Sequence, residues 1–144
     1  YPMERHNDLY FTIWYGVYHQ PTGHLRYASA GHPPPILVSG SSGNRGNASP
    51  LPGKGLPLGM LPNARYDREE CTLVSPSRLF VFSDGVYEIS RPDGSMLEFE
   101  TIEQALASAV ADGKSELDEL LRLACEVRGA GTLEVDFSII KMTI

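Results

Sequence analysis

The chain has 144 residues, enough for one domain with a real hydrophobic core, and its 42% hydrophobic and 21% charged residues are those of an ordinary globular protein. Its formal net charge of −6, with no concentrated run of Lys and Arg, argues against a nucleic-acid surface. No apolar stretch reaches the ~18 residues of a membrane span, the opening residues 1–8 lack the apolar centre of a secretory leader, and Cys71 and Cys125 show neither metal nor redox spacing. A cytoplasmic protein with reduced cysteines is expected.

Residues 9–19 (LYFTIWYGVYH) are rich in aromatic and β-branched residues and read as a long strand. Phe11, Ile13, Tyr15 and Val17 share one face, and Tyr10, Thr12, Trp14 and Tyr18 the other, so the pattern predicts a sheet covered on both sides. Gln20-Pro21-Thr22-Gly23 is a turn, and residues 24–30 return as an antiparallel strand. Gly31-His32 then leads into Pro33-Pro34-Pro35, an extended run that cannot sit in a central ladder because proline lacks the N–H. His32 is a candidate site residue, or a histidine bonded to a nearby carbonyl. Residues 36–38 form a short strand, the glycine-rich residues 40–55 read as a hairpin connection, and residues 66–74 read as a strand.

Leu79-Phe80-Val81-Phe82 reads as a strand buried on both faces. It runs into Ser83-Asp84-Gly85-Val86-Tyr87-Glu88. A carboxylate at the end of a buried strand needs a partner, either a hard cation or the backbone N–H groups of a turn. If Val86 opens a helical turn, Asp84 and Glu88 lie on one side of it. Arg91-Pro92-Asp93-Gly94 is a turn. Residues 101–111 then form a helix, with Thr101 and Gln104 as a capping box and Gly113 as its stop. Ser115 caps a second helix that runs to about Val127 and buries Leu117, Leu120, Leu121 and Ala124. Residues 133–144 form the last strand, with Asp136 at a bulge or edge position. Strands followed by helices and a final strand predict an α+β fold with antiparallel sheets and outer helices.

Ala30-Gly31-His32-Pro33-Pro34, Leu56-Pro57-Leu58-Gly59, Ser83-Asp84-Gly85-Val86-Tyr87-Glu88 and Val135-Asp136-Phe137-Ser138 together resemble the SpoIIE-like branch of the PPM metal-dependent serine/threonine phosphatases. Order and spacing match over nearly the whole chain. The resemblance implies an antiparallel β-sandwich with flanking helices and two Mn²⁺ or Mg²⁺ ions. It implies hydrolysis of phosphoserine or phosphothreonine on a regulatory protein such as an anti-sigma-factor antagonist, with a receiver or sensor domain upstream. It maps the metal ligands onto Asp84 and Asp136, with Glu88, Gly85 and His32 in the layer around them.

The chain departs from the family pattern in two places. The aspartate-bearing motifs of the family's N-terminal half do not appear, so residues 1–144 resemble the C-terminal part of a single domain, incomplete at the N-terminal side. In the closing motif, Val135 stands where the family carries its first aspartate, so either Asp136 substitutes by a register shift or the metal site is depleted. Two functions follow: part of a catalytic phosphatase, or a phosphatase-like module that binds a regulatory partner. Uncovered edges and apolar faces also predict association, with residues 9–17 as the contact and a homodimer as the simplest product.

Overall fold

The structure is a computed structural model that describes residues 3–5, 7, 9–43, 46–129 and 136–144. Two compact units divide it: residues 1–34 with 51–74, and residues 35–50 with 75–144.

The first unit is built on the hairpin of β1 (Ile13–His19) and β2 (His24–Ala30), to which β5 (Glu69–Thr72) adds on the far side of β2 in an antiparallel sheet of order β1-β2-β5. The turn closes on Gly23 at φ 66, a left-handed conformation that glycine adopts without steric cost. Leu25, Tyr27, Ala30, Leu51 and Leu73 are buried, and Trp14 stacks on Tyr27 with ring centroids 5.5 Å apart.

The expectation of cover on both faces of β1 is not met. Phe11, Ile13, Tyr15 and Val17 are exposed, Tyr15 at 64%, while Trp14 and Tyr18 on the other face are half-buried. The strand is also shorter than the apolar run: Phe11 lies outside β1 and bridges Leu58, since the partner strand β2 ends at Ala30.

The second unit is a four-stranded antiparallel sheet of order β4-β3-β6-β7, from β3 (Ile36–Ser39), β4 (Asn47–Pro50), β6 (Ser77–Phe82) and β7 (Ile139–Thr143), with α1 (Phe99–Asp112) and α2 (Glu116–Arg128). β6 lies inside the sheet between β3 and β7, which is why its apolar run is nearly continuous. Ile36, Val38, Phe80 and Phe82 form one core with Ile102, Leu106, Val110, Leu120 and Ala124.

Four readings are corrected here. The glycine-rich segment is more than a connection: Asn47–Pro50 pairs with β3, and Pro50 sits at the strand's end, where a missing N–H is tolerated. The first helix starts at Phe99 with Glu98 as its cap, so Thr101 lies inside it; Phe99 packs on Phe82 and Tyr87 at ring distances of 6.0 Å and 6.0 Å, and that contact extends the helix backwards. Leu117 and Leu121 are exposed, since the face of α2 turned inward carries Glu116, Leu120 and Ala124. Asp136 precedes β7 instead of interrupting it; Val135 and residues 133–134 lie outside the described residues. Ser115 caps α2 as expected, its Oγ accepting from Asp118 N–H at 3.3 Å, and Gly113 ends α1 in a left-handed conformation.

Candidate functional site

The buried strand β6 delivers Asp84 to the end of the four-stranded sheet. Ser83 is extended, and Asp84–Val86 form a single 3-10 turn. Val86 anchors the turn in the core at 2% exposure, which leaves Asp84 exposed beyond the strand. Asp84 Oδ1 accepts from Gly85 N–H at 2.9 Å. The Asp84 carbonyl accepts from Tyr87 N–H at 3.0 Å and from Glu88 N–H at 2.8 Å. The second bond is the helical turn that the spacing of the two carboxylates required, and both residues are exposed.

Tyr87 records their charge. Its phenol is held above the ordinary tyrosine range, first by burial and then by the negative charges of Glu88 and Asp84. Tyr87 also packs edge-on against Phe82, 6.4 Å away, so the acidic end has an aromatic floor tied to the core.

Asp136 reaches the same end of the sheet through Ser83, a residue that sequence reasoning did not single out. Ser83 Oγ donates to the Asp136 carbonyl at 2.6 Å and accepts from Ser138 N–H at 3.0 Å. Ser83 N–H in turn donates to the Ser138 carbonyl at 3.0 Å. These bonds extend the β6–β7 ladder one step beyond the Phe82–Ile139 pair. They set the Asp136 backbone beside the residue that precedes Asp84. The only available signal was a hydroxyl residue directly before Asp-Gly, and its partner lies too far away in sequence for any local pattern to show.

His32 belongs to the other unit. Its Nδ1 is 2.8 Å from the Pro33 carbonyl, which can only accept, so Nδ1–H donates to it. This is the backbone-bonded histidine that was the alternative to a site role. Its own carbonyl accepts from Ser29 Oγ at 3.2 Å.

As a metal centre this donor set is incomplete. Among the described residues no group of three or more His, Cys, Asp or Glu side chains is placed to hold an ion. Hard divalent cations take about six or more oxygens, so Asp84, Glu88 and Asp136 do not by themselves fit a two-metal site.

A family model described as Stage II sporulation protein E (SpoIIE) matches residues 2–144. The chain belongs to the SpoIIE family. Solved SpoIIE-type domains share its fold. The Mn-presoaked phosphatase domain of SpoIIE from Bacillus subtilis is 13% identical with a TM-score of 0.67, over 92% of this chain and 56% of that one. The RsbU and RsbW domains of a Mycobacterium tuberculosis protein are 22% identical with a TM-score of 0.72, over 98% of this chain and 38% of that one. The SiaA PP2C domain of Pseudomonas aeruginosa is 16% identical with a TM-score of 0.66, over 85% of this chain and 47% of that one. At these identities the likeness establishes the fold, that of PP2C phosphatase domains. The SpoIIE-family chain described here spans about half, or less, of the length of those solved chains. No curated protein matches it.

Proposed function

We propose that residues 1–144 are the C-terminal part of a single SpoIIE-type phosphatase domain, and that the complete domain is a protein serine/threonine phosphatase acting with two Mn²⁺ or Mg²⁺ ions. The observation that carries this reading is the Ser83 bridge, which puts the Asp136 backbone beside the strand end that bears Asp84. The family match over residues 2–144 supports it. In this reading Asp84 and Asp136 contribute metal ligands, and Glu88 and Gly85 stand around them. The missing oxygens come from outside these residues. Bound divalent ions would activate water and stabilise charge on phosphoryl oxygens, which is chemistry that hard cations and carboxylates support.

The substrate in this reading is a phosphorylated anti-sigma-factor antagonist in the cytoplasm, under the control of a receiver or sensor domain. A solved relative that carries RsbU and RsbW domains in one chain supports a partner-switching context. No described helix is long and apolar enough to cross a membrane.

A specific residue favours a second reading. Val135 occupies the place of the family's first closing aspartate, and valine cannot bind a cation, so the domain would bind a regulatory partner without turning it over. Phosphate release from a phosphoserine-bearing antagonist, measured with the intact polypeptide that carries these residues and with Mn²⁺ present, separates the two. Release that depends on Asp84 supports the phosphatase, and tight binding of the antagonist without release supports the binding module.

A further inference from the structure

The hairpin end of the three-stranded sheet carries a cluster of basic side chains that the phosphatase reading does not use. Val17 stands opposite Arg26, and His19 opposite His24, in the β1–β2 register. Opposite residues of an antiparallel pair have Cβ atoms ~5 Å apart on one face of the sheet, so these four side chains are neighbours. With Thr22 from the turn they line a cavity of about 370 Å³. Ligand sites span roughly 300–1,000 Å³. Among the described residues the lining holds an arginine, two histidines and a hydroxyl, in a chain whose net charge is −6.

Part of this cluster is engaged internally. His19 Nδ1 lies 2.8 Å from Thr22 Oγ1, and that hydroxyl lies 3.4 Å from the His19 carbonyl. The hydroxyl is thus engaged by the His19 ring and backbone. His19 Nε2 is left without a partner among the described residues.

Arg26 and His24 have one acidic neighbour. Glu70 Oε2 is 3.8 Å from Arg26 Nε and 3.8 Å from His24 Nε2, and Arg68 Nη2 is 4.0 Å from the same oxygen. All three separations exceed hydrogen-bond length. Glu70 is 52% exposed, so solvent screens these pairs and they hold the cluster weakly. Among the described residues one carboxylate thus stands against three basic groups, and none pairs with His19.

We propose that this cavity binds a phosphate group, as free phosphate or as the monoester on a phosphorylated side chain. A guanidinium fork matches phosphate oxygens in a bidentate way, and an imidazole N–H beside it can take a further oxygen. A phosphate monoester carries about −1.5 to −2 charge and three acceptor oxygens, which suits Arg26 together with an imidazole donor better than the single charge and two oxygens of a carboxylate. The proposal uses no metal and no residue at the Asp84 end, so it stands independently of the phosphatase reading.

The test follows histidine ring resonances while the protein is titrated with inorganic phosphate, with a phosphoserine peptide, and with the unphosphorylated peptide. His19 and His24 should shift saturably with both phosphate probes and stay in place with the third. Arg26→Gln should weaken binding about tenfold, the loss of a charge-assisted contact at a partly exposed site. Glu70→Gln should tighten it, because the one competing carboxylate is gone; a merely structural role for Glu70 would not produce tightening. A phosphopeptide that binds more tightly than inorganic phosphate identifies a phosphorylated side chain as the occupant, and the reverse order identifies free phosphate. Either probe failing to saturate at both histidines, unchanged binding in Arg26→Gln, or no tightening in Glu70→Gln would overturn the proposal.

Discussion

Glu116 is the strongest single electrostatic commitment in the second unit, and removing its carboxylate should destabilise the protein more than any surface charge change. The side chain is 6% exposed at the first turn of α2. Its Oε1 accepts from Arg78 Nε at 2.7 Å and its Oε2 from Lys141 Nζ at 2.7 Å. Arg78 Nη1 also donates to the Gly40 carbonyl at 3.1 Å, so one carboxylate ties α2 to β6, β7 and the loop after β3. Breaking a buried pair by removing one partner costs about 3–5 kcal/mol, because a charge is left uncompensated. Arg78 and Lys141 retain 22% and 28% exposure and can turn partly to water, which places Glu116→Ala at the lower end, about 3 kcal/mol. Glu116→Gln keeps the shape and one acceptor and should cost about 2 kcal/mol.

The pH dependence has a definite sign. Burial raises the Glu116 pKa, but the hydrogen bond from Lys141 and the charges of Lys141 and Arg78 outweigh it, and the net shift is downward. A depressed folded pKa contributes stability above the unfolded carboxylate value, and that stability is lost as pH falls through the folded value. The advantage of the wild type over Glu116→Gln should therefore be full at pH 7 and shrink below about pH 4.3. Urea unfolding followed by helical circular dichroism reads both effects. A Glu116→Ala protein within about 0.5 kcal/mol of wild type at pH 7 would refute the argument, as would a difference that grows on acidification.

Ser83→Ala removes one donor and one acceptor between Asp136 and Ser138 and should cost about 1–2 kcal/mol; unchanged hydrogen-exchange protection at Ser138 N–H would contradict the bridge. Light scattering should show these 144 residues self-associating through the exposed face of β1, with Tyr15→Lys weakening the association about tenfold and a clean monomer at high concentration as the contrary result. Trp14→Lys is the poorer probe, since Trp14 stacks on Tyr27 on the covered face and its loss would disturb folding as well as contact. Calorimetry should find Mn²⁺ binding to this polypeptide weaker than about 0.1 mM and no turnover of p-nitrophenyl phosphate, because the described oxygens do not complete a cage; tight binding would point to ligands beyond Asp84 and Asp136.

Much of the local structure was legible because local chemistry decided it. The β1–β2 hairpin followed from apolar runs around Gln20-Pro21-Thr22-Gly23, and the cap at Ser115 and stop at Gly113 from their residue types. The buried strand before Asp84 was legible because Leu79–Phe82, inside the sheet, is apolar on both faces. What escaped was set by distant partners. Asn47–Pro50 becomes a strand because β3 offers an edge, and Phe99 joins α1 because Phe82 and Tyr87 receive its ring. Glu116 was not singled out, because its cations stand on β6 and β7, far away in sequence. At the candidate site, Asp84 was marked by its place after a buried strand, whereas the Asp136 connection depended on a hydroxyl whose acceptor lies 53 residues away.

The most direct test of the central claim measures Mn²⁺-dependent phosphate release by the intact polypeptide that carries these residues, comparing wild type, Asp84→Asn, Asp136→Asn and Glu88→Gln. If the end of β6 bears metal ligands, Asp84→Asn should lower the rate about a hundredfold or more, since a bound divalent ion contributes several kcal/mol of charge stabilisation. Asp136→Asn should fall with it, and Glu88→Gln should lose less. Wild-type turnover with Asp84→Asn fully active would contradict the account.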